Sequence, residues 1–98
     1  MGILSDRMIA RHGDSTVEIE SKLTFRTPID GVVRYRLIID NKIASEEKGH
    51  VGRCTLRGSI ERNNARPETV VATINQGFFD TSYQLKIDGK EVRLTATN

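Results

Sequence analysis

The chain has 98 residues, enough for one domain with a modest core, and we expect residues 1–98 to form a single domain. Hydrophobic residues make up 37% and charged residues 29%, which is typical of a globular protein and excludes a disordered chain. Fifteen lysines and arginines against 13 aspartates and glutamates give a net charge of +2, which by itself is too small to indicate a nucleic-acid-binding protein.

Apolar residues recur at every second position along most of the chain, the pattern of antiparallel strands that bury one face. The N-terminal segment is ambiguous, because Leu4 and Met8 have the spacing of a short helical turn. A turn at residues 12–15 then leads into the run TVEIESKLTF, where Val17 and Ile19 fall on the predicted core face. The later positions on this face are Ser21, Leu23 and Phe25.

Five further runs follow the same rule and are separated by loops. Their predicted core positions are Val33, Tyr35 and Leu37; Cys54, Leu56, Gly58 and Ile60; Val70, Ala72 and Ile74; Tyr83, Leu85 and Ile87; and Val92, Leu94 and Ala96. The dipeptides Asp40-Asn41 and Asp88-Gly89 suit the two-residue type I′ turns of β-hairpins. About eight short strands at this spacing predict an all-β antiparallel sandwich or flattened barrel.

One hairpin sequence occurs twice in the chain. The segment YRLIIDNKIA at residues 35–44 and the segment YQLKIDGKEV at residues 83–92 share Tyr, Leu, Ile, Asp and Lys at matching positions, about half the chain apart. One interpretation is a duplicated half-domain, in which two similar four-stranded sheets stack face to face. The other is that a good hairpin sequence arose twice. The predicted fold is the same in both cases.

The order of these segments resembles a known family. RMIARHGDSTVEIE, a loop and VVRYRLIIDNKIA are similar to the first half of the Fas apoptotic inhibitory molecule family, and TVVATINQGFFDTSYQLKIDGKEV is similar to its closing half. The chain differs from the family in having no Trp and no counterpart for residues 45–66. The resemblance implies a cytosolic, non-enzymatic β-sandwich that acts through protein contacts, with no catalytic residues to transfer.

The sequence shows no pattern for catalysis or cofactor binding. It has no glycine-rich phosphate loop, no GxSxG and no HExxH, and its single cysteine, Cys54, excludes a CxxC motif. On one strand His50 and Cys54 would stand ~13 Å apart, too far to share a zinc ion unless a bulge at Gly52 draws them together, with His12 as a third ligand. We therefore expect no enzyme, no catalytic residue, no metal and no cofactor.

Two pairs of arginines fall on outward positions, Arg34 with Arg36 and Arg53 with Arg57. If their strands are neighbours, a basic stripe crosses one sheet and can hold phosphate or an acidic protein. The plainer interpretation is solubilising cover that pairs with glutamates across strands. The glutamates available for this are Glu18, Glu20 and Glu91. Aromatic residues are only 5% of the chain, so a stacking platform for single-stranded nucleic acid is poorly supplied.

Phe78 and Phe79 are adjacent and point to opposite sides of an extended segment, so one is a candidate partner or dimer contact while the other packs the end of the sandwich. The leading hypothesis is a non-catalytic protein-interaction or regulatory domain with a protein partner, monomeric or homodimeric. The alternatives are a nucleic-acid-binding module that uses the arginines and a small-ligand carrier with a cavity between the sheets. The lone Cys54, the lack of a signal-peptide run and the lack of a ~20-residue apolar stretch predict a cytoplasmic protein without a membrane span.

Overall fold

Nine β-strands form most of the chain in the computed structural model, which describes residues 3–27, 30–49, 52–61, 65–77 and 81–97. The strands are β1 (Ile3–His12), β2 (Ser15–Thr27), β3 (Asp30–Ile39), β4 (Lys42–Gly49), β5 (Gly52–Ile60), β6 (Glu68–Gln76), β7 (Thr81–Ile87), β8 (Lys90–Val92) and β9 (Thr95–Thr97). They build a five-stranded sheet in the order β4-β3-β2-β1-β9 and a four-stranded sheet in the order β5-β6-β7-β8. The predicted all-β antiparallel fold is confirmed. Within the described ranges, no helix has the length and apolar character to cross a membrane.

Each sheet contains a four-stranded meander, because strands β1 to β4 and strands β5 to β8 each pair with the next strand in sequence. Strand β9 is additional, and it pairs with β1, so the chain crosses from one sheet to the other after β8. The two apolar faces pack on each other to form one core. The buried core residues are Ala10, Val17, Ile19, Tyr35, Leu37, Ile39, Leu56, Ile60, Val70, Ala72, Ile74, Leu85 and Ile87.

The first strand of the repeated hairpin pairs with the strand before it in the same register in both meanders. The opposed residues of β2 and β3 are Val17 with Ile39, Ile19 with Leu37, and Ser21 with Tyr35. The opposed residues of β6 and β7 are Val70 with Ile87, Ala72 with Leu85, and Ile74 with Tyr83. The structure thus contains two similar four-stranded units stacked face to face, which is the fold that both interpretations of the repeat predict.

An aspartate stabilises this register at the turn that follows in each half. The φ angles of the two turns are 50° at Asp40, 68° at Asn41, 51° at Asp88 and 80° at Gly89, positive at both positions as a type I′ turn requires. The N–H of Asp40 donates to the carbonyl of Thr16 at 2.9 Å, and the N–H of Thr16 donates to Asp40 Oδ1 at 2.9 Å. Asp88 makes the same two bonds with Thr69, at 2.8 and 2.9 Å.

Two sequence-based expectations are wrong. The segment around Leu4 and Met8 forms strand β1 instead of a helical turn, because β1 pairs along its whole length with β2. Ala96 was expected in the core but is exposed, because β9 is a fifth strand and the other sheet has only four strands to cover it.

The two sheets approach closely at Gly58 of β5. A Cβ atom at this position would lie 2.9 Å from the Cβ of Ala44 and 3.0 Å from the Cδ1 of Ile39, closer than side-chain carbons normally pack. Gly58 therefore lets β5 lie against the β3–β4 hairpin, and a larger residue would push the sheets apart.

Leu85 and Lys86 test which way β7 faces. Leu85 is fully buried, so Leu85→Asp should unfold the domain by placing an unpaired charge in the core. Lys86 is exposed and lies opposite Glu91, so Lys86→Asp should cost only about 0.5 kcal/mol, the scale of a like-charged cross-strand pair. Thermal unfolding followed by circular dichroism measures both variants. Equal melting temperatures would mean that the strand faces the other way.

Candidate functional site

The four arginines singled out in the sequence lie on two different sheets. Arg34 and Arg36 are on β3 of the five-stranded sheet, whereas Arg53 and Arg57 are on β5 of the four-stranded sheet. All four alternate with core residues and point outward, but the prediction of one basic stripe across one sheet is wrong. Alternation along a strand indicates which face a residue occupies, and it carries no information on which strands are neighbours.

A row of alternating charges crosses four strands on the outer face of the five-stranded sheet. This ion-pair row consists of Glu46 on β4, Arg36 on β3, Glu20 on β2 and Arg7 on β1, each directly opposite the next. Arg7 Nη2 lies 2.6 Å from Glu20 Oε2, and this hydrogen bond, with the charge of Glu18, raises the pKa of Arg7. Arg36 Nη1 lies 3.6 Å from Glu20 Oε1, and Arg36 Nε donates to Glu46 Oε2. Arg36 is therefore paired within the sheet, as the plainer interpretation predicts.

The next row on the same face carries only positive charges. This basic row consists of Lys48 on β4, Arg34 on β3 and Lys22 on β2, again directly opposite one another. Its one ion pair with a described residue is long, because Arg34 Nη1 lies 3.8 Å from Glu46 Oε1 while Glu46 also binds Arg36. Like charges on directly opposed positions repel, so the basic row is expected to destabilise the sheet.

A shallow cleft of about 270 Å³ lies beside the basic row. The described residues that line it are Lys22, Thr24, Val32, Arg34 and Arg36. Three cationic side chains and one hydroxyl thus surround a space large enough for a small anion, with Val32 as an apolar contact opposite Thr24. A few polar groups that converge beside an apolar one are typical of a ligand site.

On the other side of the ion-pair row, the outer face carries three isoleucines and one glutamate. Ile43 on the edge strand β4 is 58% exposed and lies directly opposite Ile38 of β3, which is half-buried. Ile9 of β1 is on the same row and is separated from Ile38 by Glu18. We call Ile9, Ile38 and Ile43 the isoleucine patch. Ile43 is exposed, whereas Ile9 and Ile38 are half-buried. A contiguous apolar patch on a polar surface is typical of an interaction site.

The outer face of the four-stranded sheet is polar and carries few acidic groups. Arg53 lies opposite Asn75, and its Nε donates to Asn75 Oδ1 at 3.3 Å. Arg57 forms no ion pair with any residue that the structure describes. Among the described strand residues, the acidic one on this face is Glu91, which lies opposite Lys86. Arg53 and Arg57 therefore keep a positive charge that no described carboxylate pairs with.

Two tyrosines link the sheets at one end of the core. The Tyr35 hydroxyl donates to Gln76 Oε1 at 2.5 Å, and the Tyr83 hydroxyl donates to Ser21 Oγ at 3.2 Å. Burial raises the pKa of Tyr35 to about 12, so the hydroxyl stays protonated at neutral pH. Burial also raises the pKa of the Cys54 thiol, which disfavours the thiolate that a nucleophile needs.

The candidate metal ligands do not come together in the described part of the chain. His12 Nε2 lies 2.7 Å from Glu68 Oε2, a contact that joins β1 to β6. No group of three His, Cys, Asp or Glu side chains among the described residues is placed to hold a metal ion. His50, Phe78 and Phe79 lie outside the described residues, so the partner contact proposed for the phenylalanines stays a prediction.

Comparison of the chain with protein families, with curated proteins and with solved structures finds no match in any of the three. The resemblance to the Fas apoptotic inhibitory molecule family stays a prediction.

Sequence reasoning missed Lys22 and Lys48, which flank Arg34. Regular pairing after the two-residue turn that follows β3 would place Arg34 opposite Glu47, a favourable pair. A bulge at Ala44 adds one residue to β4, so Arg34 faces Lys48 instead. The outward position of Lys22 in the alternating run of β2 was the one signal available.

Lys22→Glu tests whether the basic row destabilises the sheet. The variant places an opposite charge directly across from Arg34, so the free energy of unfolding should rise by about 0.5 kcal/mol. Urea unfolding with an unchanged m-value measures this. The matched control is Lys86→Glu, which creates a like-charged pair with Glu91 and should lower stability by a similar amount. A loss of stability in Lys22→Glu would contradict repulsion within the row.

Proposed function

We propose that the protein is a non-catalytic protein-binding domain whose contact surface is the outer face of the five-stranded sheet. The observation that carries the proposal is the isoleucine patch, where Ile43 keeps 58% of its surface exposed beside Ile38. Burial of apolar side chains is the main favourable term in most protein association. The resemblance to the Fas apoptotic inhibitory molecule family implies the same class of function.

The charges beside the patch indicate the chemistry of the partner. Arg34 of the basic row and Ile38 of the isoleucine patch are four residues apart on β3, which is about 13 Å along a strand. The ion-pair row between them balances two acidic with two basic side chains. A segment that sets an apolar side chain on Ile43 and carboxylates over the basic row complements this face. We take the partner to be an acidic protein segment with an apolar anchor.

The non-catalytic part of the proposal is supported by the roles of the described reactive groups. The Tyr35 hydroxyl donates a hydrogen bond to Gln76 of the opposing sheet, and burial keeps Cys54 in its less reactive thiol form. A free Cys54 also fits a reducing compartment, and we propose the cytoplasm.

Selection from a random peptide library displayed on phage tests the proposal. The wild-type protein should enrich peptides with an apolar residue and with Asp or Glu about four residues away in an extended chain. Ile43→Asp should bind these peptides about tenfold more weakly or worse, because a negative charge would be desolvated against the anchor. The matched control is Thr55→Asp, which makes the same charge change at an exposed site on the other sheet and should bind as the wild type does.

Two results would count against this partner. Enriched peptides that lack acidic residues, or that bind Ile43→Asp as tightly as the wild type, would sink the proposal. A concentration-dependent dimer in sedimentation experiments, broken by Ile43→Asp, would show that a second copy of the chain covers the face instead.

The outer face of the four-stranded sheet favours a second candidate function, the binding of a nucleic-acid backbone. Arg53 and Arg57 lie on this face about 13 Å apart, and neither is paired with a carboxylate in the part of the chain that the structure describes. Fluorescence anisotropy with a labelled oligonucleotide should show an affinity that falls steeply with salt, and Arg57→Ala should lower the salt slope by about one. Arg11→Ala, at an exposed site on the other sheet, is the control. Binding that does not respond to salt would remove this candidate.

A further inference from the structure

The basic row leaves positive charge without a partner. Both of its neighbouring pairs, Lys48 with Arg34 and Arg34 with Lys22, are like-charged, whereas the adjacent ion-pair row alternates in sign. Among the described residues, the row's single ion pair is the 3.8 Å contact of Arg34 with Glu46, which Arg36 shares. Lys22 and Lys48 therefore carry two charges that the described carboxylates do not offset.

The cleft beside this row supplies the donors that an oxyanion needs. Lys22, Arg34 and Thr24 line a volume of about 270 Å³. Arg36 lines it as well, but its guanidinium is already paired with both glutamates of the ion-pair row. Lysine and arginine form short, charge-assisted hydrogen bonds to phosphate oxygens, and arginine can bind two of them at once. Lys48 flanks Arg34 on the side away from Lys22, and its long side chain is able to reach an anion bound over Arg34.

We propose that this cleft binds a phosphate monoester. The group carries a charge of about −1.5 to −2 at neutral pH, which matches the two unbalanced positive charges better than one carboxylate does. A small phosphorylated molecule and a phosphorylated side chain on a partner protein share this chemistry. The site stands on the basic row and its cleft, so it does not depend on the isoleucine patch or on the protein-binding function proposed above.

Titration of isotope-labelled protein with O-phosphoserine, followed by amide correlation spectra, tests the site. Saturable shifts should centre on residues 22–24 and 32–36. Lys22→Glu should weaken binding about tenfold or more while its melting temperature rises, because it removes a charge-assisted donor and relieves repulsion. A lower affinity together with a higher melting temperature shows that the site is lost while the fold is intact, because a damaged fold would lower both. The neutral Lys22→Gln should also bind more weakly, and it serves as the second variant if Lys22→Glu misfolds.

The control is Lys86→Glu, which makes the same substitution as Lys22→Glu but on the other sheet, and it should bind O-phosphoserine as the wild type does. Serine and acetate should bind about tenfold more weakly than O-phosphoserine or not at all. Shifts that never saturate, shifts spread equally over both sheets, or unchanged affinity in the Lys22 variants would overturn the proposal.

A phosphoserine peptide with a leucine four residues away distinguishes the two sources of the phosphate. Tighter binding than free O-phosphoserine, with the gain lost in Ile43→Asp, supports the site and assigns the phosphate to a protein partner. Equal affinity for the peptide and the free amino acid supports the site and assigns it to a small molecule. If the isoleucine patch does not bind a partner, Ile43→Asp should still bind O-phosphoserine as the wild type does. The protein-binding proposal can therefore fail while the phosphate site is confirmed.

Discussion

The fold depends on one constraint, which is that a four-stranded meander with alternating side chains has an apolar face that it cannot bury alone. The two halves of the chain meet this constraint by packing their apolar faces on each other. Tyr35 and Tyr83 each donate a hydrogen bond to the opposing sheet, and no buried side-chain polar atom among the described residues lacks a partner. Because the inner faces of both sheets are buried in the core, a binding function is expected on the described outer faces.

The set of side chains on those outer faces depends on the register of the strands. A slip of one residue would exchange core and outer positions along a whole strand. Asp40 and Asp88 oppose such a slip, since each binds a threonine at the start of the neighbouring strand through both its N–H and its carboxylate. The same pair of aspartate–threonine hydrogen bonds occurs in both halves, which gives a physical reason why the hairpin sequence occurs twice. By fixing the register of β2 and β3, the bonds of Asp40 also keep the residues of the ion-pair row and the basic row opposite one another.

Local features of the fold could be predicted from the sequence, and features that depend on strand order could not. Alternation placed Leu37 and Leu85 in the core, and the turn dipeptides located both hairpins. The sheet order was not accessible, so Arg34 and Arg57 were placed on one stripe although they lie on different sheets. The bulge at Ala44 has no clear mark in the sequence, and it decides which side chain faces Arg34. The candidate cleft was therefore missed even though two of its arginines were named.

Protection of a free sheet edge is the alternative explanation for the basic row. Edge strands commonly carry lysines that prevent another chain from adding to the sheet, and Lys48 on the edge strand β4 fits that role. Lys22 does not fit it, because β2 is the central strand of the five-stranded sheet and both its edges are already paired. A lysine there repels Arg34 without guarding an edge, so its presence is better explained by an anion that binds between them. Edge protection and anion binding then share Lys48, and Lys22 is the residue that separates the two explanations.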